Sequence, residues 1–220
     1  MTKLIIFDLD GTLLDTIDDL AAACNQALVS CGCPERKRDE YFMFVGRGID
    51  NLFRGALPEG KKTEEMVTKM RESFVPYYNE HGCDLTKPYD GILHMLRTLS
   101  DRGIQFAVAS NKYQAGTEAL VDRYFGEFNF VRILGQREGK PIKPDPKIVE
   151  EAMEGVEGIL PEEVVYCGDS DVDMMTGINA GVRTIGVTWG FRSAAELAAH
   201  NPWALVNTPQ EITEAILQDI

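Results

Sequence analysis

The chain has 220 residues, 44% of them hydrophobic and 26% charged, an ordinary globular composition with ample length for a buried core. Acidic residues outnumber basic ones 35 to 22, for a net charge of -13, which excludes nucleic acid and anionic membrane surfaces as general partners because both need a basic face. No segment has signal-peptide flanks or the length to span a bilayer, so a cytoplasmic address is expected.

In chain order, residues 3–8 read as a strand buried on both faces, a short and nearly continuous apolar run. Asp8-Leu9-Asp10-Gly11-Thr12 follows at its end. Side chains two apart on an extended segment point the same way, so Asp8 and Asp10 can converge. Like charges that close need a cation or a proton between them. Mg²⁺, a hard ion with oxygen ligands, suits both the carboxylates and a phosphate.

Residues 16–81 change rhythm. Apolar residues recur at helical spacing through Ile17, Leu20, Ala21, Cys24 and Leu28, then again through Tyr41–Val45, Ile49–Phe53 and Met66–Tyr78. The expectation is an all-helical insertion, with hinges at Asp15-Thr16 and between His81 and Pro88. Arg47, between Gly46 and Gly48, is a candidate grip for a carboxylate, against the plainer reading of a surface arginine in a glycine turn.

From Pro88 onward helices and strands alternate. Strands are expected at 104–109, 130–134, 164–167 and 184–187. Helices are expected around Ile92–Leu99, at 113–124, 146–153 and 171–180, and after Thr208-Pro209, where Glu211 completes a capping box. The fold class is therefore α/β: a Rossmann-like parallel sheet core with helices on both faces and an inserted all-helical cap domain. The core is assigned to 1–15 and 82–220, the cap to 16–81. The five cysteines read as reduced thiols, with Cys24 and Cys167 as small core residues. Cys31 and Cys33 lack a second pair at zinc-site spacing. His81, His94 and His200 match no metal spacing and receive no role.

Three later segments carry chemistry. Ser110-Asn111-Lys112 follows a strand. It can hold a phosphoryl oxygen or simply cap the next helix. Lys140-Pro141-Ile142-Lys143-Pro144-Asp145-Pro146 holds a lysine out of helix, with Lys140 and Lys143 competing for one role. Gly168-Asp169-Ser170-Asp171-Val172-Asp173 supplies carboxylates at another strand end. Trp189-Gly190-Phe191 lies after the last expected strand, for core packing or for the site's rim.

Together, Asp8 to Thr12, Ser110-Asn111-Lys112, Lys143-Pro144-Asp145-Pro146 and Gly168-Asp169-x-x-x-Asp173 resemble the four ordered motifs of the haloacid dehalogenase superfamily. The helical insertion looks like its C1-type cap, and the nearest match is the phosphoglycolate phosphatase-like group. Ser110 stands where that group more often has threonine, with the hydroxyl kept.

The resemblance implies a Mg²⁺-dependent hydrolase of a small phosphate monoester, with 2-phosphoglycolate as the best single substrate. Asp8 would be the nucleophile and Asp10 the general acid and base. Mg²⁺ would be held by Asp8, Asp169 and Asp10, the last through its backbone carbonyl. Thr12, Ser110 and Asn111 would bind phosphate, and Lys143 would offset charge. Asp173 would orient Lys143 or a metal-bound water. Read from the residues and not from the resemblance, Arg47 is the candidate contact for a substrate carboxylate, with Lys112 a comparable candidate from the core side. Rival readings are a phosphosugar mutase or inorganic pyrophosphatase on the same scaffold, a dehalogenase, and a phospho-accepting signalling module. Asp10 argues against the dehalogenase, and together with the insertion it argues against the signalling module.

Overall fold

The computed structural model describes residues 1–219. Its strands are β1 (Leu4–Phe7), β2 (Leu14–Asp15), β3 (Lys87–Pro88), β4 (Gln105–Tyr113), β5 (Phe130–Gln136), β6 (Val164–Gly168), β7 (Arg183–Val187) and β8 (Ala204–Val206). Six of them form one parallel sheet in the order β5-β4-β1-β6-β7-β8. Leu4, Ile5, Ile6 and Phe7 are all fully buried because both faces of β1 are covered. Ile5 and Phe7 join one apolar cluster with α5 (Ile92–Ser100), α6 (Gln114–Phe125) and α10 (Pro209–Gln218). Leu4 and Ile6 point the other way, into a second cluster with α7 (Lys147–Met153). The period-two alternation of a strand divides one apolar run between two cores.

Register positions the site. Phe7 is level with Val108 on one neighbour and Cys167 on the other, so Asp8, Ser110 and Asp169 emerge at the same rim. The Asp8 amide donates to the Cys167 carbonyl at 2.9 Å, holding that alignment one residue past the strand. From β1 the chain order runs outward in both directions, and ligands on such sheets bind at the carboxyl ends where the order reverses.

The helices α1 (Ile17–Ser30), α2 (Tyr41–Phe44), α3 (Ile49–Ala56) and α4 (Glu64–His81) share a third apolar cluster that includes Ile17, Cys24, Phe53 and Phe74. The two chain crossings into and out of these helices are not loose. β2 and β3 pair antiparallel, Leu14 with Pro88 and Asp15 with Lys87. The buried Asp19 carboxylate accepts from the Leu85 amide at 3.0 Å and the Thr86 amide at 2.8 Å. The remaining helices are α8 (Asp171–Asn179) and α9 (Ala194–Ala198). Among the described residues, no helix is long and apolar enough to cross a membrane.

One sequence expectation needs correction here. β4 does not end at Ala109 but runs to Tyr113, so Ser110-Asn111-Lys112 closes a strand instead of following one. The pairing with β5 slips between Ala109 and Tyr113, and the three side chains serve the site instead of a core face. The usual alternation is therefore missing from the sequence.

Candidate active site

Asp8, Asp169 and Asp173 each bring a carboxylate oxygen within 4.8 Å of the others, all buried. Gly11 permits the crowding: its φ is +88°, and a Cβ there would lie 2.4 Å from Asp169 Oδ2. Lys143 faces the group. Its Nζ lies 2.8 Å from Asp8 Oδ1 and 2.7 Å from Asp173 Oδ1, and donates to the Tyr166 hydroxyl at 3.0 Å. That hydroxyl donates in turn to the Ala109 carbonyl at 2.9 Å.

Burial pushes the Asp8 carboxyl up to about 7, with Lys143 pulling it down and Asp173 adding to the rise. Asp169 is raised well above the carboxylate range, by burial and then by Asp173 and Asp8. Burial alone would lower Lys143, but Asp173 and Asp8 together outweigh it and hold the ammonium charged.

One ammonium among three buried carboxylates leaves excess negative charge, which is costly unless a cation joins it. The donor set suits a hard divalent cation. Asp173 is already engaged: Oδ1 meets Lys143, while Oδ2 accepts from the Ser170 amide at 3.0 Å and its hydroxyl at 2.5 Å. Asp8 Oδ1 is buried without a well-directed hydrogen bond. An ion here would lie against Asp8 and Asp169, since Asp169 accepts only from neutral donors, the Thr12 hydroxyl and the Phe191 amide, while Asp173 fixes the Lys143 ammonium.

A pH dependence follows. Asp8 moves from 3.8 to about 7 on burial, so the metal-free fold binds more protons than the unfolded chain between those values. Its stability then falls as pH rises through that window. A bound divalent cation relieves the repulsion and stabilises by mass action. Thermal unfolding should show a larger gain from Mg²⁺ at about pH 8 than at about pH 5; equal gains at both would contradict this account.

The other sequence-selected residues fall in several places. Thr12 donates to Asp169 Oδ1 at 3.0 Å, orienting that carboxylate. Ser110 is buried on the cavity wall. Asn111 also lines the cavity, but its amide is committed elsewhere. It donates to the Gly46 carbonyl at 3.0 Å and the Lys143 carbonyl at 3.2 Å, and accepts from the Lys143 amide at 2.9 Å. It thus fixes the lysine loop.

The Asp10 carboxylate is not among the gathered acids; both its oxygens take Lys112 Nζ, at 3.1 and 3.2 Å. Arg47 lies outside the cavity, paired with Asp171 at 2.5 Å, so it joins the helical layer to the first turn of α8. Lys140 shares Glu151 with Arg137 near the surface, which leaves Lys143 in the site. Trp189 Nε1 donates to the Thr12 carbonyl at 3.0 Å, and the Phe191 amide to Asp169 Oδ2 at 2.7 Å.

Sequence reasoning missed Tyr166, Tyr78 and Arg192, and named Gly190 only as part of a segment for core packing or the site's rim. Tyr166 reads as one more apolar strand residue. Arg192 donates to the Phe42 carbonyl and, at 3.0 Å, to the Val45 carbonyl, binding the helical layer from below. A Cβ on Gly190 would lie 2.3 Å from the Asp169 Cβ and 2.4 Å from the Gly11 carbonyl. Gly190→Ala should therefore displace Asp169 and weaken Mg²⁺ binding by about 10–100-fold, the scale of losing a ligand's supporting contact. Calorimetric titration with Mg²⁺ reads this directly, and an unchanged affinity would refute it.

Between the sheet rim and the helices lies a cavity in which the centre of a water-sized sphere can occupy about 40 Å³. Asp8, Asp10, Ser110 and Lys112 line its core side, and Leu20, Ile49, Leu52 and Phe74 its helical side.

The haloacid dehalogenase-like hydrolase family model matches residues 5–187. A phosphoglycolate phosphatase of Vibrio parahaemolyticus is 31% identical over 219 residues, 97% of this chain and 96% of that protein. That of Pasteurella multocida is 31% identical over 218 residues, covering 96% and 97%. A crystal structure from Lactobacillus delbrueckii subsp. bulgaricus superposes with a TM-score of 0.88 at 33% identity, covering 98% of this chain and 99% of that one. CbbY from Rhodobacter sphaeroides, solved with phosphate, shares the fold at a TM-score of 0.76 and 24% identity, covering 96% of each chain. The chain belongs to the haloacid dehalogenase-like hydrolase family, and within it to the phosphatases.

Proposed function

We propose that this phosphatase is a Mg²⁺-dependent phosphate monoester hydrolase whose substrate is 2-phosphoglycolate, acting through an aspartyl-phosphate on Asp8. The observation that carries the reading is the nucleophile's setting. Asp8 lines the cavity, buried beside Asp169 and the Lys143 ammonium. The relatives named above support the substrate.

Asp8 attacks phosphorus, and the bond to the leaving oxygen breaks. Asp10 gives that oxygen its proton, then takes one from the water that splits the acyl phosphate. Lys143 and the buried amides offset charge as it develops. Bound between Asp8 and Asp169, Mg²⁺ would supply the positive charge that lets a carboxylate approach an anionic ester. Residues 16–81 act as a cap that excludes water, and 1–15 with 82–220 as the catalytic core. The setting is the cytoplasm and the partner a small phosphate ester.

The test is phosphate release from 2-phosphoglycolate, p-nitrophenyl phosphate, pyrophosphate and phosphosugars, with and without Mg²⁺. Fastest Mg²⁺-dependent release from 2-phosphoglycolate is expected. Faster pyrophosphate cleavage, or phosphosugar interconversion without net release, would replace this reading with a pyrophosphatase or a mutase. No release from any ester would return the signalling alternative.

A further inference from the structure

Resting on the hydrolase reading above, we propose that Lys112 selects the substrate: it takes a second anionic group, a carboxylate one carbon from the ester oxygen, and in doing so releases Asp10. Lys112 is the one cation lining the cavity among the described residues. Arg47, paired with Asp171, and Lys143, between Asp8 and Asp173, are not among its lining residues. A carboxylate entering the cavity therefore finds its counter-charge at Lys112.

The ammonium is buried, and its three donors are divided among the two Asp10 oxygens and the Tyr78 hydroxyl at 3.0 Å. Its Nζ also lies 4.5 Å from the centre of the Tyr78 ring. Lys112 comes from β4 and Tyr78 from α4, so the cap holds the lysine from above while Asp10 holds it from the core.

A substrate carboxylate offers Lys112 the same chemistry as Asp10. The exchange conserves charge and makes no covalent bond. It leaves the Asp10 carboxylate free in the cavity beside Asp8, to take up from water the proton that it then hands to the leaving oxygen. An ester with an uncharged tail offers no such exchange, so Lys112 stays on Asp10. The facing wall of Leu20, Ile49, Leu52 and Phe74 gives a neutral polar tail no partner.

The test compares kcat and KM for 2-phosphoglycolate and 2-hydroxyethyl phosphate, in the wild type and in Lys112→Met, with Mg²⁺ present. In the variant the KM for the carboxylated ester should rise. The ratio of the two kcat/KM values should fall by about 10–100-fold, the worth of a hydrogen bond to a charged group. The kcat for the uncharged ester should not fall in step, because Asp10 is no longer held. Lys112→Gln, which keeps a donor toward Asp10, should move the ratio the same way and serves if the Met variant does not fold. A ratio unchanged in the folded variants, or an equal fall for both esters, overturns the proposal. Failure of the hydrolase reading looks different: the wild type would release phosphate from neither ester, which overturns both.

Discussion

Asp8→Asn should abolish turnover while making the metal-free protein more stable. Loss of the nucleophile removes the covalent route altogether, and kcat should drop by about 10⁵–10⁶-fold, the scale measured for other covalent nucleophiles. The stability change has the opposite sign. The Asp8 carboxyl is pushed up to about 7 by burial, and its Oδ1 has no well-directed hydrogen bond. A neutral amide of the same shape removes that repulsion and still leaves Lys143 paired with Asp173. Without metal, the melting temperature at about pH 8 should rise, and the gain on adding Mg²⁺ should shrink. Steady-state kinetics and thermal melts of the same sample measure both. Retention of more than about a hundredth of wild-type kcat would remove Asp8 from the nucleophile's role.

Lys143→Met should cost both stability and rate. The ammonium stands between Asp8 and Asp173 at 2.8 and 2.7 Å, and its deletion leaves buried carboxylates uncompensated. Breaking such a pair from one side costs about 3–5 kcal/mol, and losing a preorganised cation costs about 10²–10³-fold in kcat. Urea denaturation measures the first and steady-state assays the second. Mg²⁺ should recover part of the stability, since it neutralises Asp8 from the other side, but not the rate. Lys140→Met is the control: Lys140 sits near the surface and shares Glu151 with Arg137, so its loss should cost less than about 1 kcal/mol. A stability change of similar size in the two variants would overturn this reading of Lys143.

Much of this was legible in the amino acids. The strand ends are marked because a doubly buried strand is uniformly apolar and the next residue is charged: Phe7 then Asp8, Cys167 and Gly168 then Asp169. The lysine loop is marked by its prolines. The last helix is marked by Thr208, whose side chain accepts from the Glu211 amide. Other features were hidden for physical reasons. β8 has three residues at a sheet edge, too few for a period to emerge. Tyr166 presents a ring to the core and a hydroxyl to Lys143, so hydropathy sees only the ring. Gly190 matters through absent atoms, which no pattern of side chains records. Arg47 and Lys112 are both candidate cations in the sequence. Only the three-dimensional arrangement separates an arginine facing Asp171 from a lysine facing the cavity.

The ribbon of β2 and β3 has a mechanical consequence. Because the outgoing and returning chains are tied side by side, Leu14 to Pro88 and Asp15 to Lys87, the helical layer hangs from a single pin. In the proposed cap, one narrow ribbon would favour a swing about the crossing over the slide or twist that two separate tethers would permit. Latches across the gap include Arg47 to Asp171, Arg192 to the Phe42 and Val45 carbonyls, Asn111 to Gly46, Lys112 to Tyr78 and Tyr113 to Asn79, and in the proposed cap these would part together. The proposed doorway would accordingly turn about four residues of backbone.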